Sequence, residues 1–181
     1  MARIIILILI YALYSDTSLG SPASGVSHYL TMRRALADIE SGNNPCAKNR
    51  HSSASGKYQF VKSWDPWFKK NAGATWTSFT QIKSCKNNSG KQDELFLIYF
   101  QKIVTPWIKS VKKRYPKVTG NISDAELLAL IHRQGEAGGE KYLRSGIDPY
   151  AGKYGNKHVA THLRAMRRQM GFYNYLDSMR G

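Results

Sequence analysis

From Val26 to Ser41 the apolar residues Tyr29, Met32, Leu36 and Ile39 recur at spacings of three and four. That is the stripe of a helix with one buried face. Gly42, Asn43, Asn44 and Pro45 follow and end it, since glycine and asparagine accept left-handed backbone and proline cannot continue the ladder. Further along, Asp65-Pro66 opens a short helix that Gly73 closes, with Asp65 as its cap. Gly90 to Thr105 is a long apolar segment with Asp93 and Glu94 in its first turn and Leu95, Phe96, Ile98, Tyr99 and Ile103 inside; Pro106 breaks or kinks it. Trp107 to Tyr115 continues as a basic helix. Ser123-Asp124-Ala125-Glu126 is a capping box, starting a helix through Leu127, Leu128 and Ile131 that stops at Gly135. A short turn is expected after Gly138-Gly139, and Asn156 reads as the cap of a last basic helix reaching Met170. Strand patterns are scarce. The expectation is one mainly α domain over residues 26–181, with a cleft built by the irregular stretch from Gly42 to Gly56.

The first twenty-five residues are of another kind. Arg3 precedes an unbroken apolar run from Ile4 to Tyr14, and Ser, Gly and Ala dominate from Ser15 to Gly25. The run falls short of the ~20 residues that span a bilayer and fits a secretory signal, with an uncleaved membrane anchor as the alternative. The expected location is therefore periplasmic or extracellular. An oxidising compartment also suits Cys46 and Cys85, the only two cysteines, which can close one disulfide; two buried free thiols are the other reading. The five histidines form no tight ligand cluster, although His158 and His162 share a helix face, so no metal or cofactor is expected.

Charge narrows the partners. Lys and Arg number 27 against 12 acidic residues, a net +15 that loss of Arg3 and Asp16 with the leader leaves unchanged. Such an excess seeks a polyanion: cell wall, an anionic membrane surface or nucleic acid. No helix-turn-helix or aromatic recognition motif is present, so specific nucleic-acid binding is not expected.

The residue with most chemical promise is Glu40, in the last turn of the first helix. Unsatisfied carbonyls and the negative end of the dipole disfavour its charge there, and burial acts the same way. A carboxylic acid kept neutral near pH 7 suits general-acid cleavage of a glycosidic bond, whereas the plainer reading is an exposed helix-end glutamate.

Residues from about Val26 to Arg144 resemble the lysozyme-like lytic transglycosylases, the class of soluble murein enzymes, secretion-system muramidases and phage lysins. Three motifs carry the likeness: Glu40-Ser41-Gly42 with Asn44 and Pro45; Ser53-Ala54-Ser55-Gly56-Lys57-Tyr58-Gln59-Phe60; and a displaced echo at a helix end in Ile131-His132-Arg133-Gln134-Gly135. The last departs from the family's alanine–tyrosine–asparagine–x–glycine run, keeping only its glycine and position. The resemblance implies a lysozyme-like fold with Glu40 as the single catalytic acid and Ser41, Gly56, Tyr58, Gln59, His132 and Arg133 near the substrate. It implies cleavage of the β-1,4 bond between N-acetylmuramic acid and N-acetylglucosamine, leaving 1,6-anhydro ends. A hydrolase would need a second acid, and Asp38, Asp65, Asp93, Glu136 and Glu140 are the candidates. Expected partners are peptidoglycan glycan strands and an anionic wall or membrane surface, with a phage virion or secretion machine as the assembly served. The competing class is an inactive cationic lysozyme-like domain that binds cell wall or nucleic acid within an assembly.

Overall fold

A computed structural model describes residues 22–73, 78–85, 89–146 and 159–179; residues 1–21 of the signal-like segment and Asn156 lie outside them. The described chain is mainly helical, with two isolated β-bridges, Lys48–Ser55 and Ser55–Phe60, in place of strands. Helix α1 spans Pro22–Ser41. It buries Tyr29, Met32 and Leu36 and rests Ile39 against the core, as its periodicity requires. Its end is wrapped by the next residues: the Gly42 amide donates to the Asp38 carbonyl at 2.9 Å and the Asn43 amide reaches the Ala37 carbonyl at 3.0 Å.

The stretch that follows is irregular but tied down. Cys46 and Cys85 form a disulfide with their Cα atoms 4.9 Å apart. Gly56 to Gln59 makes a turn closed by the Gln59 amide on the Gly56 carbonyl. Gly56 has a φ of +80°, and a Cβ there would lie 2.5 Å from Gln92 Oε1 and 2.6 Å from Ile82 Cγ2. Only glycine suits both the backbone and the space. Gln92 holds the loop from below, accepting from the Lys57 amide at 2.7 Å and donating to the Pro45 carbonyl at 3.0 Å.

A 3-10 turn at Lys62–Trp64 leads into α2, Asp65–Asn71. Asp65 starts this helix without capping it; its carboxylate accepts from the Phe79 amide at 3.1 Å, at the head of α3, Phe79–Lys83. Sequence periodicity did not expose α3, which is little more than one turn. Helix α4, Ser89–Tyr99, passes through a wider π turn at Phe100–Val104 into α5, Thr105–Arg114. There the Thr105 amide bonds the Phe100 carbonyl, five residues back, so the chain runs on past Pro106 instead of breaking. Helix α6 is the short Pro116–Thr119.

Helix α7, Asp124–Ser145, is the centre of the molecule: Leu127, Leu128, Ala129, Leu130 and Ile131 are all buried. Its capping box is complete, Ser123 accepting from the Glu126 amide and the Glu126 carboxylate accepting from the Ser123 amide. The expected stop at Gly135 is a one-residue kink, with φ +67° and ψ 177°, after which the helix resumes. Where a turn is expected after Gly138-Gly139, the helix accordingly continues to Ser145. A Cβ on Gly139 would sit 2.8 Å from the Trp107 ring, so Gly139 permits close packing of α7 on α5. Helix α8, Val159–Ser178, runs beyond the expected Met170 and packs against both α1 and α7, burying Val159, His162, Leu163, Met166, Met170 and Tyr173.

Candidate active site

Glu40 comes from the last turn of α1, and its side chain remains 14 % exposed in a hollow of about 250 Å³. Asn49, Ser52 and Ala54 of the irregular stretch, Gln59 at the end of the turn, Val61 beyond it, and His132 and Arg133 of α7 complete the lining. A second hollow of about 440 Å³ shares Gln59, Val61, His132 and Arg133 with the first and extends over Phe60, Trp64 and Tyr99 to Gly135. The two hollows form one groove with a carboxylate at one end and an aromatic floor at the other. The rings of that floor interlock. The Phe60 ring meets Phe68, Tyr99 and His132 edge-on at centroid distances of 4.8, 5.6 and 5.6 Å; such pairs contribute ~1 kcal/mol each beyond their buried area.

The fold brings four of the sequence-derived site residues to this groove: Glu40, Gln59, His132 and Arg133. Ser41, Gly56 and Tyr58 do not line it. The Ser41 hydroxyl donates to the Lys57 carbonyl at 2.7 Å and accepts from the Asn44 amide at 3.0 Å, which joins the helix end to the turn. Gly56 is covered by Gln92 and Ile82. Tyr58, 1 % exposed, stacks on Phe96 at 4.3 Å and donates its hydroxyl to Asp93, so it cannot touch a sugar in the groove. A large flat ring beside a helix end is satisfied best by burial, and here the core takes it. Gln59 has a φ of +51° and donates its side-chain amide to the Gly56 carbonyl at 2.8 Å.

His132 is more than a stand-in at a helix end. Its Nε2 lies 2.7 Å from the Tyr58 carbonyl. A carbonyl only accepts, so the imidazole carries its proton on Nε2. Burial pushes this histidine down, and the attraction of Glu40 and the bond to Tyr58 recover only part of that loss.

Behind Glu40 stands a residue that sequence reading left without a role. His162 of α8 places Nε2 3.0 Å from Glu40 Oε1, with 9 % of its own side chain exposed. The ring N–H is not aimed along this contact, which makes it one of charge and proximity more than of hydrogen-bond direction. Its signal in the sequence is a polar residue on the otherwise apolar face formed by Val159, Leu163, Met166 and Met170. This arrangement corrects the expectation of a neutral Glu40. Burial does push the carboxyl up, but the His162 contact and the charges of His132, His162 and Arg133 outweigh it and hold Glu40 below the ordinary glutamate range.

The remaining acids are engaged elsewhere. Asp38 accepts from the Tyr173 hydroxyl, Asp93 joins Arg33 at 3.2 Å and Lys57 at 2.8 Å, and Glu140 pairs with Arg114 at 2.6 Å. Neither these nor Asp65 or Glu136 lines the groove. Among the described residues no group of three His, Cys, Asp or Glu side chains is gathered that could hold a metal ion. No protein-family model, curated protein or solved structure matches this chain. The groove must be read from its own chemistry: one carboxylate, a cationic surround and an aromatic floor.

Proposed function

We propose that this chain is a peptidoglycan lytic transglycosylase of lysozyme-like fold, cleaving the β-1,4 bond from N-acetylmuramic acid to N-acetylglucosamine with Glu40 as its single acid. The observation that carries the reading is that Glu40 is the one carboxylate among the described residues lining the groove. Glu40 protonates the leaving oxygen as positive charge develops at the anomeric carbon. The sugar's own 6-hydroxyl then attacks that carbon and returns its proton to Glu40, so the bond is broken without a second acid to activate water. Arg133 supplies a cation for the acidic groups of a murein strand, and Gln59 supplies amide contacts at the junction of the two hollows.

The protein acts outside the cytoplasm in this reading, exported by its leader or held on a membrane by it, and it serves a wall, a virion or a secretion machine. No helix among the described residues is long and apolar enough to cross a membrane. The ionised state of Glu40 favours a second reading, in which an inactive cationic domain binds the wall. Mass spectrometry of murein digested with the protein decides between them. Anhydro ends support transglycosylation, hydrated ends make the protein a lysozyme, and intact murein leaves the binding domain. Cleavage that survives Glu40→Gln would remove Glu40 from the chemistry.

A further inference from the structure

Helix α8 is apolar on two sides, and the fold covers only one of them. The buried side carries His162, Met166, Met170 and Tyr173. On the opposite side Arg164, Arg168, Phe172, Tyr175 and Met179 follow one another at spacings of four, four, three and four. At 3.6 residues per turn these five fall within an arc of about 80°. Met179 keeps the register just past the helix, its amide donating to the Tyr175 carbonyl at 3.2 Å. Phe172, Tyr175 and Met179 are 53, 62 and 67 % exposed, and both arginines are exposed as well. Neither arginine is ion-paired among the described residues. Asp177, the one acid of α8, lies off this stripe and accepts from the Thr31 hydroxyl.

We propose that this stripe docks the protein on an anionic lipid surface, with Phe172, Tyr175 and Met179 entering the headgroup layer and Arg164 and Arg168 meeting its phosphates. A helix that sets large apolar and aromatic residues beside cations suits the plane of such an interface. A wall polymer would answer the arginines but has no hydrocarbon for Phe172 and Met179. A second copy of the chain would need about 800 Å² from each partner, more than three part-exposed side chains offer. Position favours lipid too. Thr31 meets Asp177 at 3.3 Å and Glu40 meets His162 at 3.0 Å, so α1 and α8 run antiparallel. The apolar end of α8 therefore lies beside the first turns of α1, where Leu30 is exposed. In sequence the apolar run Ile4–Tyr14 stands shortly before Pro22, the start of α1, so a leader retained as an anchor would reach the bilayer from this same end. Ten residues of α1, ~15 Å of helix, separate Leu30 from Glu40, which keeps the groove clear of the lipid. The docking is independent of the chemistry of Glu40.

The test uses the exported protein with an environment-sensitive fluorophore on Tyr175→Cys. Cys46 and Cys85 are bonded to each other, so the new thiol alone takes the label. Val118→Cys, at an exposed apolar position on α6, is the control. On vesicles of phosphatidylcholine containing phosphatidylglycerol, the label at 175 should shift to the blue while the label at 118 stays unchanged. On phosphatidylcholine alone neither should move. Adding Phe172→Ser and Met179→Ser should raise the lipid concentration at half-shift by about tenfold or more. Arg164→Gln and Arg168→Gln should raise it by about fivefold each at low salt. All four side chains are exposed, so these variants should melt with the parent; if the double serine variant does not fold, the two labels decide. No shift at 175, an equal shift at 118, or an equal shift on phosphatidylcholine alone overturns the proposal. So does a dimer in sedimentation velocity that Phe172→Ser dissolves, or a double serine variant that loses murein and keeps its hold on the vesicles.

Discussion

Replacing Gly56 by alanine places one methyl group where the fold has no room. The residue has a φ of +80°, and an L side chain in that region costs ~1–2 kcal/mol. The new Cβ would stand 2.5 Å from Gln92 Oε1 and 2.6 Å from Ile82 Cγ2, so both must move. Overpacking of this kind costs ~1–3 kcal/mol. Displacing Gln92 also weakens the 2.7 Å bond from the Lys57 amide, worth ~1 kcal/mol. Together the loss is about 3–6 kcal/mol, a large part of the ~5–15 kcal/mol of a typical domain and a fall in Tm of roughly 6–24 °C. Gly42→Ala is the matched control, for it shares the backbone strain at φ +63° but meets nothing within 4 Å. It should lose only ~1–2 kcal/mol. Guanidinium unfolding of the two variants measures the difference, and equal losses would mean that Gln92 and Ile82 do not define this turn.

Other outcomes follow from the same contacts. Reduction of Cys46–Cys85, which closes a separation of 39 residues, should lower stability by about 4 kcal/mol in the chain-entropy view; an unchanged Tm in reductant would contradict it. His132 and Glu40 both have depressed pKa values in the folded chain, so each contributes stability present above its unfolded value and lost as pH falls. The His132 share should begin to fade below about pH 6.5 and the Glu40 share below about 4.3. His132→Gln should flatten the slope between pH 7 and 5, and an unaltered slope would count against a buried neutral imidazole. Because net charge is +15, sedimentation with insoluble murein should weaken steeply near 0.1 M salt, where exposed charges are screened over ~10 Å. Turnover of a small soluble muropeptide should change much less, and equal sensitivity would place the basic surface inside the groove.

What could be read without coordinates was what short-range chemistry decides. The α1 stripe, its end after Ser41 and the Ser123–Glu126 capping box involve partners within one or two turns, and all three stand in the fold. Gly135 was legible as a break but not as a kink, because whether a helix resumes depends on what its next face can pack against. Gly139 needed the Trp107 ring, and Trp107 belongs to another helix. The charge of Glu40 was misjudged for a related reason. Dipole and burial are visible from the helix itself, whereas His132, Arg133 and His162 arrive from α7 and α8 and reverse the outcome. Tyr58 and Gln59 are neighbours in the chain, but the turn sends one into the core and the other to the groove.

The seam between α1 and α8 sets a condition on synthesis. Thr31 meets Asp177 at 3.3 Å, Arg34 lies over the Tyr173 ring at 4.3 Å, and Glu40 meets His162 at 3.0 Å. The helix bearing the carboxylate thus leaves the ribosome well before the helix that backs it. A nascent chain halted before Val159 carries every motif of the murein resemblance and still lacks the back wall of its acid. Emergence of α8 is then the event that brings His162 to Glu40, however well the first hundred or so residues have folded before it.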